Sequence, residues 1–139
     1  MSDSDESTLE VAKRAFELFR GGLSSGNWQP WLEVLTDDFS FRFPMGRWRG
    51  EHRGKGDAAE FFAYVRQVYP EGLQLEVDRV SKSEGTVVFE FRDWGTLVVP
   101  GQPPREYRNR VALSLDVRGD RIAAYREYFG SDGVPDRGR

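Results

Sequence analysis

Apolar residues recur along this chain with two different periods, and the change from one to the other divides it. Leu9, Ala12, Phe16, Phe19 and Leu23 stand three or four apart, which draws an apolar stripe down one face of a helix. Ser7 and Glu10 form a capping box ahead of the stripe, so the helix is expected to start there and to end in the glycines Gly21, Gly22 and Gly26. Asn27 can cap a shorter helix carrying Trp28, Trp31, Leu32 and Leu35, with Asp37 and Asp38 closing it. The period then falls to two. Phe39, Phe41 and Phe43 alternate with Ser40 and Arg42, a strand with one buried face that Pro44 ends. Residues 44–56 read as a loop, and Asp57 with Glu60 is a second capping signal for a helix carrying Phe61, Phe62, Tyr64, Val65, Val68 and Tyr69. Strands are expected over 73–80, 86–99, 105–117 and 121–129, broken at Gly85, at 100–104 and at the turn around Gly119. Helices first and strands in series afterwards predict the α+β class, a curved antiparallel sheet with one face covered.

Length and composition narrow the rest. The 139 residues fit one domain, and a chain of that size buries roughly 68% of the surface it exposes when unfolded. Segments 1–6 and 131–139 are charged, small or turn-forming and are expected as frayed tails around a folded domain at 7–130. There is no cysteine, which excludes disulfides, thiolate metal sites and a thiol nucleophile. A single histidine, His52, excludes the usual zinc ligand sets, and no cofactor is implied. His52 stands among arginines in the expected loop, a place that can hold an anion but that more often leaves a histidine in solvent. The net charge of -3, with both signs interspersed, argues against a nucleic-acid partner. With no signal-peptide pattern at the start and no apolar run of membrane-spanning length, a cytoplasmic protein without a membrane partner is expected.

With the elements in this order, the helix–helix–strand start, the segment 35–50 (LTDDFSFRFPMGRWRG) and the closing 119–129 (GDRIAAYREYF) resemble a known family. It is the SnoaL-like, polyketide-cyclase-like branch of the nuclear transport factor 2-like superfamily. The resemblance implies a cone-shaped curved antiparallel sheet wrapped around N-terminal helices, a cystatin-like α+β barrel. It also implies a pocket for a small hydrophobic organic ligand and a homodimer through the outer sheet face. The superfamily holds ketosteroid isomerases, limonene-epoxide-hydrolase-like enzymes, cyclases, phenazine-biosynthesis A/B proteins and binding modules without catalysis, so the fold alone does not choose a reaction.

Local motifs weigh these members against one another. Ketosteroid isomerases resemble this chain at Pro44, Met45 and Gly46, but Phe43 stands where their basic carboxylate belongs and Val111 where their oxyanion-hole acid belongs. The closing motif of the epoxide hydrolases is similar to Tyr125, Arg126, Glu127, Tyr128 and Phe129, which puts Glu127 at an acid's place. Their R-x-D meets Arg92, Asp93 and Trp94, with Glu90 as the substitute acid two residues upstream. The Y-x-N and R-E-aromatic patterns of the phenazine proteins resemble Tyr107, Arg108, Asn109 and Arg126, Glu127, Tyr128.

Strand alternation gives these residues a physical reading of their own. Glu127 lies between Tyr125 and Phe129 on one strand face, where an apolar wall would raise its pKa and make it an acid/base near neutral pH; the bland reading is a surface glutamate. Tyr107 and Asn109 share a face with Val111, Leu113 and Leu115, so their polar tips point inward and can orient a ligand oxygen or simply form a structural network. Glu90, Arg92 and Trp94 lie opposite Val87, Phe89 and Phe91, either facing a pocket with Arg92 in reach of Glu127 or making a charged outer face. The expected catalytic set is Glu127, Tyr107, Asn109 and Arg92. The expected lining adds Glu90, Trp94, Phe43, Trp48, Phe16, Phe19, Tyr125, Val111 and Phe61. The first expectation for function is a cyclase or isomerase-type enzyme acting on a hydrophobic oxygenated metabolite. The second is a non-catalytic binding or assembly module, and the third an epoxide hydrolase with Glu90, Arg92 and Glu127 on one water.

Overall fold

The computed structural model describes residues 2–130; Met1 and the segment 131–139, read above as a frayed tail, lie outside the described residues. Helix α1 spans Ser2–Ser25 and so begins ahead of the Ser7–Glu10 capping box. The segment before the box has no glycine or proline to stop a helix. Gly26, at φ 81°, ends the helix. The short α2, Gln29–Leu32, follows, with Asn27 Oδ1 accepting the Gln29 backbone N–H at 3.3 Å.

Strand β1, Leu35–Phe43, takes in Asp37 and Asp38, which therefore do not close a helix. Asp38 instead accepts from Thr36 Oγ1 at 2.8 Å and pairs with Arg118 at 3.0 Å. The expected loop contains a strand, β2, Gly50–Arg53, which pairs antiparallel with β1 and sets His52 opposite Phe41. His52 is consequently stacked on Phe41 at 5.0 Å, with Nε2 2.9 Å from the carbonyl of Trp48, and does not stand free in solvent. Helix α3, Lys55–Val68, then leads to β3, Leu73–Ser83, β4, Thr86–Leu97, β5, Arg105–Arg118, and β6, Arg121–Phe129.

The strands form one sheet in the order β2-β1-β6-β5-β4-β3. Hairpin reversals make the β3 to β6 run antiparallel, but β1 lies parallel to β6, with Phe41 beside Tyr125. This departs from a wholly antiparallel sheet. A parallel pair needs a long crossover, and the chain from β2 through β5 supplies one. The α+β sheet is curved and unclosed, with β2 and β3 as its free edges.

All three helices lie on the inner face. Phe16 of α1 stacks on Phe89 at 4.2 Å with planes 9° apart, and Phe19 meets Trp31 at 5.4 Å and Tyr125 at 5.8 Å. Burying such a ring stabilises by about 2 kcal/mol or more, against about 1 kcal/mol for a helix cap, so the rings decide where α1 sits. Among the described residues no helix is long and apolar enough to cross a membrane.

The turn into β3 is pinned to the end of α1. Gly72 has φ 85°, and a Cβ there would stand 2.4 Å from the carbonyl oxygen of Ser24. Gly72→Ala is expected to cost roughly 2 kcal/mol or more, through positive-φ strain and that clash. A urea midpoint equal to the parent's would show that the two segments are not held together.

Candidate active site

The alternation that turns Phe89 and Phe91 of β4 inward carries on to Asp93, which is 5% exposed. Its cross-strand partner on β5 is Asn109, and Gly95 faces Tyr107 in the same ladder. Asp93 Oδ1 is buried without a hydrogen-bond partner. Desolvation raises this carboxyl well above the usual aspartate range, and the nearby charge of Glu127 pushes the same way.

On β6, Tyr125 and Glu127 point to the same side, and the Tyr125 hydroxyl donates to Glu127 Oε1. Burial raises the Glu127 pKa to about 7, outweighing the hydrogen bond from Tyr125, which lowers it. Tyr107 on β5 is buried, and desolvation holds its phenol above the ordinary value, so it stays neutral. Asn109 is engaged at both ends of its amide: Nδ2 donates to Tyr107 Oη at 2.9 Å, and Oδ1 accepts the Arg110 backbone N–H at 2.8 Å. The phenol thus accepts from Asn109 and keeps its own proton to give elsewhere.

Asp93, Tyr107, Tyr125 and Glu127 meet at a cavity of about 40 Å³, walled by rings that include Phe19, Phe43, Phe61, Phe62, Tyr69, Phe91 and Phe129. An adjoining recess of about 50 Å³ shares Phe43, Phe61, Val65 and Tyr69 with it and reaches Trp48. No lysine, arginine or histidine among the described residues lines the cavity. Among the described residues no group of three or more His, Cys, Asp or Glu side chains is arranged to hold a metal ion.

The structure therefore brings Glu127, Tyr107, Tyr125, Phe19, Phe43 and Phe61 to one cavity, with Asn109 one hydrogen bond behind and Trp48 in the adjoining recess. It does not bring Arg92. That side chain lies on the outer face, 2.7 Å from Asp78 and 3.1 Å from Glu76, because it alternates with the inward Phe91 and Asp93. Glu90 and Trp94 share the outer face for the same reason, and Trp94 is 39% exposed. Phe16 and Val111 are buried core residues that do not reach the cavity lining. Asp93 was missed in the sequence because the R-x-D comparison drew the reading to Arg92. The inward parity of Phe89 and Phe91, continued by two residues, points to it.

A family model described as a SnoaL-like domain matches residues 14–125. The chain belongs to the SnoaL-like family. The crystal structure of an NTF2-like protein from Anabaena variabilis is 51% identical, covers 94% of each chain and superposes with a TM-score of 0.85. A phenazine-biosynthesis-related protein of Pseudomonas aeruginosa is 18% identical over 94% of this chain and 89% of its own, with a TM-score of 0.70. An LEH-like epoxide hydrolase of M. tuberculosis is 20% identical over 90% of this chain and 86% of its own, with a TM-score of 0.67. At that identity these two share the fold with this SnoaL-like chain. No curated protein matches it.

Both acids of the cavity make stability depend on pH. As pH rises from the ordinary glutamate value of 4.5 to about 7, the unfolded chain gives up a proton that folded Glu127 keeps, so stability falls across that window; Asp93 extends the fall upward. Below the window both states are protonated and the effect vanishes. Asp93→Asn is expected to melt higher than the parent at about pH 8 and to flatten the curve from about pH 5 upward. A calorimetric pH series in which the variant's curve is as steep as the parent's would contradict this account.

Proposed function

We propose that this SnoaL-like protein is an acid/base enzyme of the cyclase or isomerase type, acting on a small hydrophobic oxygenated molecule. One observation carries the reading: Glu127, whose pKa burial raises to about 7, shares an aromatic cavity with the neutral phenol of Tyr107. In the proposed step the Glu127 carboxylate takes a proton from the carbon beside a carbonyl. The electron pair moves to the carbonyl oxygen, where the O–H group of Tyr107 stabilises the developing charge. Returning the proton to another carbon isomerises the substrate; alternatively, the enolate carbon attacks an internal carbonyl carbon, whose C–O π pair moves to oxygen and takes the proton back from Glu127, which closes a ring. Asn109 acts as a positioning residue, fixing which way the Tyr107 hydroxyl turns.

The cavity volume of about 40 Å³ favours a second reading, a binding module for a very small ligand. The epoxide-hydrolase reading needed Glu90, Arg92 and Glu127 on one water, and Glu90 and Arg92 stand on the opposite face of the sheet from the cavity.

Butanone is a small enolisable probe of the proposed chemistry. Exchange of its α-protons for deuterium, followed by NMR, is expected to run about a hundredfold faster with the protein than with the same concentration of acetate. The rate should rise as Glu127 ionises, and Glu127→Gln should remove most of it while butanone still binds. Equal exchange in parent and variant would leave Glu127 as scaffold and put the binding module first.

We also propose a homodimer through the outer sheet face, as the family resemblance implies. Exposed Trp94 and Tyr128 on that face, and an open groove of about 790 Å³ reaching Arg92, Trp94, Arg108 and Arg110, support it. Light scattering at micromolar concentration should give twice the 16.0 kDa chain mass, and a monomer would contradict the dimer.

A further inference from the structure

Among the described residues the cavity holds two carboxyl groups and no cationic side chain. Asp93 is 5% exposed, and its Oδ1 has no partner. The titratable groups around it are Tyr107 on β5, Tyr125 and Glu127 on β6, and Tyr69 after α3, none of which carries positive charge. A neutral oxygenated ligand can take a proton from these acids, but only a cation complements them once they ionise. The walls point the same way. Phe43 meets Phe61 at 4.9 Å and Phe129 at 5.4 Å, and Phe61 meets Phe62 at 4.9 Å, all at steep angles, so rings in several orientations surround the acids. Electron-rich ring faces beside a carboxylate attract an ammonium group and repel an anion.

We propose that the ligand of this site carries a basic nitrogen, whose small alkylammonium group docks against Asp93 within the aromatic walls. A nitrogen with a few carbons suits the cavity of about 40 Å³, and a longer chain would continue into the recess of about 50 Å³. The inference deepens the acid/base reading and rests on it for the role of Glu127; the ammonium contact itself requires no turnover.

The test uses n-propylammonium, n-propanol and propionate as probes, titrated into isotope-labelled protein and followed by NMR. The ammonium ion is expected to bind at least about tenfold more tightly than the alcohol, with no binding of propionate. Asp93→Asn should abolish that preference. Because the cation favours ionised acids, binding at about pH 7 should release protons, read as a dependence of the calorimetric heat on buffer ionisation. Alcohol binding as tight as ammonium binding, no proton release, or an undiminished preference in Asp93→Asn would each overturn the proposal. Should that variant fail to fold, selectivity and proton release in the parent decide. Ammonium preference without butanone exchange would sink the acid/base reading alone, and butanone exchange without ammonium preference would sink this inference alone.

Discussion

A sheet whose inner face is apolar from strand to strand has to be covered, and here three helices cover six strands. The longest of them, α1, is seated by Phe16 on Phe89 and by Phe19 among Trp31, Phe62 and Tyr125. Large rings fill the space that few helices leave, because one ring closes a gap that several aliphatic chains would otherwise share. The cover remains incomplete where α1, α3 and the curved sheet meet. The cavity lies there, with Phe19 and Leu23 from α1, Phe61, Phe62 and Val65 from α3, and both acids from the sheet. Site and core are thus one packing problem, and the polar groups occupy the part of it that rings cannot fill.

Much of this architecture was legible where local pattern and tertiary role coincide. The apolar stripe of α1, the Phe39, Phe41 and Phe43 alternation and the hairpin around Gly119 each state their structure within a dozen residues. The strand β2 was hidden because Gly50–Arg53 is polar throughout and acquires its identity only by lying against β1. The β1–β6 pairing was hidden for a related reason. It joins segments some eighty residues apart, and no periodicity within either one records which neighbour it has or which way that neighbour runs.

At the site, parity proved a better guide than composition. The inward alternation of Tyr107 and Asn109 was readable from the aliphatic residues after them. The same reasoning applied to β4 leads to Asp93, yet an aspartate between arginine and tryptophan reads as surface until the face it shares with Phe91 is taken seriously. What no pattern could convey is the pairing of acids across β5. Asp93 and Glu127 lie on different strands, and only the coil of the sheet gives the charge of Glu127 an influence on the proton of Asp93.

Two of the rings that line the cavity also touch each other. Phe43 and Phe129 stand edge to face at 5.4 Å, both half-buried, on the adjacent strands β1 and β6. In a cavity of about 40 Å³ with both rings in its lining, a molecule larger than a few atoms would fit only if those rings rotated. Its admission would then wait on the protein's own fluctuations more than on arrival at the surface. The rate at which a ligand of that size could enter would be set by how often two phenyl rings turn aside.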